Sequence, residues 1–170
     1  NFVAGPTVST WCESMRTVYG QEGHIWISCI DGDSSKAGLW RSTNSGVSFT
    51  KVSGVQNAQS IGFGRTASGS GYPVLYMSGQ VNNVWGIFRS EDLAASWIRL
   101  NDDQHQYGIV SQITGDPKIY GRCYFGGRGL LYGDIGLNAV GTINGNNRTL
   151  LEATGHSVDY AHCASNLATA

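Results

Sequence analysis

Charge is what this sequence has least of. Only 14% of its 170 residues are charged, and the formal net charge is −1. A chain so poor in basic residues has no electrostatic footprint for nucleic acid and no polybasic surface for anionic lipid. Neither is expected as a partner, and a neutral one fits better. No apolar run approaches the roughly 18–20 residues a membrane-spanning helix needs. The chain opens at Asn1 without the basic and apolar regions of a secretory leader, so the expectation is a secreted, extracellular protein whose leader has been removed. The four cysteines, Cys12, Cys29, Cys123 and Cys163, include no C-x-x-C pair, which argues against a zinc knuckle or a thioredoxin-like motif. One or two disulfides and buried free thiols remain alternatives. The run Gly126-Gly127-Arg128-Gly129 lacks the lysine and following helix of a phosphate loop. No metal and no cofactor are expected.

Glycine and aromatic residues are abundant by contrast, with 24 glycines and 11% aromatics. Glycine supplies the positive φ of tight turns, and aromatic side chains favour half-buried pleated surfaces. The pattern therefore points to an all-β protein of short strands. Alternating runs support it at 24–30, 38–42, 48–52, 60–63, 72–78, 84–89 and 96–100, each bounded by Gly, Pro, Asn or Ser. A further unit is expected to run through Lys118–Phe125 to Gly129–Tyr132.

Two of these segments repeat. Gly38-Leu39-Trp40-Arg41-Ser42-Thr43-Asn44-Ser45-Gly46-Val47-Ser48-Phe49 is echoed by Gly86 to Trp97 at an offset of 48 residues, the size of one β-propeller blade at about 40–50 residues. Three to four antiparallel four-stranded blades, an incomplete propeller, are the expected fold. The shared form resembles the Asp-box hairpin of sialidases and other propellers. Ser42, Asn44, Gly46 and Phe49, and Ser90, Asp92 and Trp97, are read as its structural residues. Asn44 or Asp92 would bond turn amides while Phe49 or Trp97 packs inward.

Several blocks carry a wider resemblance: Gly20-Gln21-Glu22-Gly23-His24-Ile25-Trp26, Ile61-Gly62-Phe63-Gly64, Asn101-Asp102-Asp103-Gln104-His105-Gln106-Tyr107-Gly108, Ile113-Thr114-Gly115-Asp116-Pro117-Lys118-Ile119-Tyr120-Gly121-Arg122 and Tyr132-Gly133-Asp134-Ile135-Gly136. From about Tyr19 to Gly136 the chain resembles the carboxyl-terminal end of the catalytic module in family-74 glycoside hydrolases, the xyloglucan-degrading enzymes. The resemblance implies paired seven-bladed propellers around a cleft and inverting hydrolysis of a β-1,4-glucan bearing xylose branches. The family's two catalytic aspartates lie upstream of the matched part, so no catalytic residue carries over. Residues 1–136 are expected to form the blades and 137–170 an added strand or linker.

The polar block Asp102, Asp103, His105, Gln106 and Tyr107 offers carboxylate, imidazole, amide and phenol to sugar hydroxyls. The alternative for it is a structural loop closed by Asp102 or Asp103. Trp85, beside Asn82-Asn83, is the tryptophan best placed for stacking on a pyranose ring. Asn147-Arg148-Thr149 is a glycosylation sequon at Asn147. The functional expectation is a fragment or truncated relative of a xyloglucan-active endo-β-1,4-glucanase acting on plant cell-wall glycan or another polysaccharide. The alternatives are a non-catalytic, lectin-like glycan binder and a self-assembling β-sheet protein. Open blade edges would call for a homo-oligomer or for the rest of the propeller.

Overall fold

The computed structural model describes residues 5–67, 71–127, 129–135, 148–151 and 156–159. All regular structure among the described residues is β, with no helix. A first sheet runs β1 (Cys12–Thr17), β2 (Ile25–Cys29), β3 (Gly38–Ser42), β4 (Thr50–Lys51). A second runs β5 (Val55–Gly64), β6 (Val74–Val81), β7 (Val84–Ser90), β8 (Ile98–Arg99). The third comprises β9 (Gln112–Gly115), β10 (Cys123–Gly126), β11 (Leu130–Ile135), β12 (Arg148–Leu151) and β13 (His156–Asp159), in the spatial order β9-β10-β11-β13-β12. Every neighbouring pair is antiparallel. The described sheets do not close into a propeller ring.

Several strand boundaries differ from the sequence reading, and the runs expected over 60–63 and 72–78 become β5 over Val55–Gly64 and β6 over Val74–Val81. The run expected over 118–125 starts only at Cys123, because the Asp116 carboxylate accepts from the amides of Lys118 at 2.7 Å and Ile119 at 2.9 Å and turns the chain first. The strands expected over 48–52 and 96–100 shrink to two residues each, since their first residues are consumed by the preceding turns. β1 was not anticipated. Its residues are mostly exposed and show no apolar alternation, so only the ladder to β2 reveals it.

Alternation places the core. On β6, Leu75 and Met77 enter a cluster with Trp26, Leu39, Ile61 and Phe63. Val74 and Tyr76, pointing the other way, join Ile87, Ile113, Cys123 and Phe125. Successive side chains on a strand face opposite sides of its sheet, so the second sheet is buried on both faces and the first and third cover it. β5 and β9 meet backbone to backbone: a Cβ at Gly62 would collide with the Ile113 carbonyl, and one at Gly64 would press on Gly115.

A polar contact recurs between neighbouring sheets. Arg41, opposite Trp26 in the β2–β3 ladder, lies over the Trp26 ring at 5.4 Å and the Tyr72 ring at 5.7 Å. Trp26 Nε1 donates to the Tyr72 hydroxyl at 2.8 Å, and His24 Nδ1 is hydrogen-bonded to it at 3.1 Å. Forty-eight residues on, Arg89 stands opposite Tyr76 and pairs with Glu91 at 3.2 Å. Tyr120, itself 48 residues after Tyr72, donates to that same carboxylate at 2.6 Å. In each case an arginine of the third strand is tied to a tyrosine in the next sheet's first connection.

The two repeated turns share one hydrogen-bond net. Ser42 Oγ donates to Asn44 Oδ1 at 2.9 Å and accepts from the Gly46 amide at 3.0 Å, while Asn44 Oδ1 accepts from the Ser48 amide at 3.0 Å. Ser90 Oγ donates to Asp92 Oδ1 at 2.8 Å and accepts from the Ala94 amide at 2.9 Å, and Asp92 Oδ1 accepts from the Ser96 amide at 2.9 Å. Phe49 is half-buried, and Trp97 packs edge-on against Phe88 at 6.3 Å. Both turns need two left-handed residues, Ser45 and Gly46 in one and Leu93 and Ala94 in the other, with φ of 58°, 85°, 62° and 68°.

Left-handed backbone costs a Cβ-bearing residue about 1–2 kcal/mol, and Leu93 is partly solvent-exposed. Leu93→Gly is therefore expected to raise stability by about 0.5–1 kcal/mol, after allowing for the looser unfolded chain, read as a higher urea midpoint. Gly62→Ala, forced against the β9 backbone, is expected to cost about 2 kcal/mol or more. Gly32→Ala, which meets nothing within 4 Å, should leave the same midpoint nearly unchanged.

Candidate glycan-binding site

In an antiparallel meander alternate connections share one end of the sheet. The β6–β7 turn at Asn82-Asn83 and the segment leaving β8 therefore lie together, opposite the 91–97 turn. The segment 101–110 folds back over β7 and is held from several sides. Asn101, buried at 7% exposure, accepts the Ile87 amide on Oδ1 at 2.8 Å and donates through Nδ2 to the His105 carbonyl at 2.7 Å. Ser60 Oγ donates to the Val110 carbonyl at 2.8 Å. The Tyr107 ring packs against Phe125 at 4.9 Å.

These bonds shape a small cavity of about 210 Å³ lined by Gln59, Ser78, Trp85, Asn101, Gln106 and Tyr107. That is less than the roughly 300–1,000 Å³ of a small-molecule pocket, room for one ring or a branch. Trp85, 42% exposed, Gln106 and Tyr107 are brought together here. Gln106 is exposed, and its Nε2 donates to the Asp102 carbonyl at 3.1 Å. A larger groove of about 1230 Å³ opens between the outer edges of the first two sheets, lined by Arg41, Lys51, Asp92, Trp97 and Arg99 among others. It is the wedge left where β4 and β8 are only two residues long, and none of the polar-block residues reaches it.

Asp102, Asp103 and His105 are engaged in holding the loop. Asp102 Oδ1 accepts from the amides of His105 at 2.8 Å and Gln104 at 3.0 Å and pairs with His105 Nδ1 at 2.6 Å. Asp103 is paired with Arg99 at 2.7 Å. Elsewhere, Asp134 is gripped by Arg122 Nε and Nη2 at 2.6 and 2.7 Å, and Asp116 closes its own turn and accepts from the Tyr124 hydroxyl at 3.0 Å. Sequence reasoning passed over Gln59, whose Oε1 accepts from Ser78 Oγ at 3.0 Å at the cavity floor. A lone glutamine in a β run carries no signal for this. Asn147, Arg128 and Cys163 lie outside the described residues.

Inverting hydrolysis needs one carboxyl group kept protonated and a second ionised about 6.5–9.5 Å away. Among the described residues, every aspartate displaced from its ordinary value is displaced downward. Burial pushes Asp102 up, but the His105 ring and the amides of His105 and Gln104 outweigh it. The Lys118 and Ile119 amides lower Asp116. The Ser35 hydroxyl and amide bring Asp33 down to about 2. Such groups suit turn closure and not proton donation.

Because Asp102 is depressed in the folded chain, its ionised form stabilises the loop. That contribution is full above its unfolded value of about 3.9 and fades as pH falls through the lower folded value. Protection of the Gln104 and His105 amides, taken as intrinsic over observed exchange rate at each pH, is expected to fall on acidification below about pH 4, and Asp102→Asn is expected to show the lowered protection already at pH 7.

No protein-family model matches the chain. It is 51% identical to a xyloglucanase of a Paenibacillus species over 122 residues, covering 71% of this chain and 12% of that protein. It is 40% identical to a xyloglucanase of Acetivibrio thermocellus over 158 residues, covering 84% of this chain and 18% of that protein. The crystal structure of the GH74 enzyme of Niastella koreensis superposes with a TM-score of 0.64 at 40% identity, covering 71% of this chain and 18% of that one. The chain spans less than a fifth of the length of these proteins. With all-antiparallel sheets and this identity across most of its residues, it is a segment of the GH74 xyloglucanase type.

Proposed function

We propose that the chain forms three successive blades of an incomplete β-propeller and supplies part of the glycan-binding wall of a xyloglucan-active endo-β-1,4-glucanase without supplying its acid and base. The carrying observation is that Trp85 and Gln106 meet over one cavity at the end of the second sheet, in a chain 51% identical to a xyloglucanase. An exposed indole face offers a stacking platform for a neutral pyranose, and amides beside it match hydroxyls without needing charge. The near-zero net charge fits a neutral polysaccharide partner.

The turns at 42–49 and 90–97 are, on this reading, Asp-box hairpins with structural roles only. Residues 1–136 form the blades, and the 137–170 extension completes the third sheet by laying β13 beside β11, with Gly133 opposite Val158. Extracellular action follows from the substrate, a cell-wall polymer.

The purified chain is expected to bind xyloglucan oligosaccharides while releasing no reducing ends. Trp85→Ala should weaken binding about tenfold, on the order of 1.4 kcal/mol, with the thermal unfolding profile retained. Equal affinity in that variant would remove this surface from the site. Release of reducing ends would place an active carboxyl pair on the chain.

A further inference from the structure

Cys12 and Cys29 stand directly opposite one another in the β1–β2 ladder. The Ile30 amide donates to the Trp11 carbonyl at 3.1 Å, so Trp11–Ile30 is the hydrogen-bonded pair and Cys12–Cys29 the adjoining non-hydrogen-bonded one. Such pairs bring Cα atoms to about 4.5 Å, inside the roughly 4.4–6.8 Å range that a disulfide spans. The side chains share a face of the sheet, and their sulfur atoms are hydrogen-bonded at 2.9 Å. Cys12 is exposed and Cys29 fully buried.

The position matters mechanically. β1 is the edge strand of its sheet, mostly exposed, and its register with β2 slips between Cys12 and Ser14. The start of the strand is thus where the ladder holds least.

We propose that Cys12 and Cys29 are a disulfide-forming pair that staples β1 to β2 in an oxidising compartment. The oxidant is a low-molecular-weight disulfide such as oxidised glutathione. The Cys12 thiol loses its proton and attacks one sulfur of that disulfide, forming a mixed disulfide and expelling a thiolate that takes up a proton. The Cys29 thiol, deprotonated in turn, attacks the Cys12 sulfur, and the second thiol leaves. Two protein thiols are oxidised and one disulfide is reduced to two thiols. Burial pushes the Cys29 thiol up, so Cys12 opens the reaction and Cys29 resolves it. Cys123, buried in the core between the second and third sheets, takes no part.

The two cysteines are 17 positions apart; the trypsin site at Arg16 separates them and that at Lys36 ends the second peptide. The chain is incubated with oxidised glutathione, its remaining thiols are alkylated after unfolding, and it is digested without reduction. The expected product is peptide 1–16 joined to peptide 17–36, lost on reduction. The oxidised protein is expected to melt about 5–10 °C above the reduced one. Cys12→Ser, at an exposed position, should fold, melt like the reduced protein and lack the joined peptide. Alkylation of both residues in the oxidised sample, a lasting mixed disulfide at Cys12, or Cys12 joined to Cys123 or Cys163 would overturn the proposal.

Discussion

At β6 the second sheet is buried on both faces, and the rest of the described structure depends on that. β6 alternates Leu75 and Met77 into one core with Val74 and Tyr76 into the other, so neither core exists without the sheet on its far side. Burial at about 25 cal/mol per Å² drives both packings, and it draws β5 so close to β9 that Gly62 and Gly115 admit no side chain. Polar groups caught between the sheets must then find partners, since an unpaired buried one costs about 1–3 kcal/mol. The Arg41–Tyr72 and Arg89–Glu91–Tyr120 contacts answer that need in part, while Arg41 Nε and Arg89 Nε and Nη1 are buried without a hydrogen-bond partner.

The same economy governs the carboxylates. Asp102, Asp116 and Asp92 each hold amides or a hydroxyl where the chain reverses, and Asp134, on β11, holds Arg122. Asp102, Asp116 and Asp92 are held below the ordinary carboxylate range by those bonds and are the wrong groups to lend a proton. The chain thus carries the architecture of a carbohydrate enzyme while its described acids serve the loops. The glycan surface we propose uses uncharged groups, an indole and amides, consistent with a partner that has no charge to recognise.

Much of this was legible in the residues. The 48-residue recurrence of Arg-Ser with a following Asn or Asp marks two hairpins whose hydrogen-bond nets share the serine and Oδ1 bonds and differ in one, since Asn44 Nδ2 donates to Ser48 Oγ whereas Ser96 Oγ donates to Asp92 Oδ2. The family resemblance, read from blocks between Gly20 and Gly136, agrees with relatives 51% and 40% identical over 122 and 158 residues. What stayed hidden was non-local. β1 has no apolar periodicity because its side chains are largely in water, and a ladder to another strand leaves no mark on its own sequence. The shortening of β4 and β8 follows from turns that consume their neighbours. In the polar block, residue types alone did not separate Asp102, which closes the loop, from Gln106, which faces the cavity. The distinction depends on where the Asn101 side chain anchors the backbone.

The inter-sheet arginine contacts have an evolutionary corollary. Each joins a residue of one sheet to a tyrosine of the next, so the recurring 48-residue module straddles two sheets instead of coinciding with one. Duplication or deletion in steps of that length would preserve both kinds of contact. A break at any other phase would part the Arg41 guanidinium from the Tyr72 ring and the Glu91 carboxylate from the Tyr120 hydroxyl.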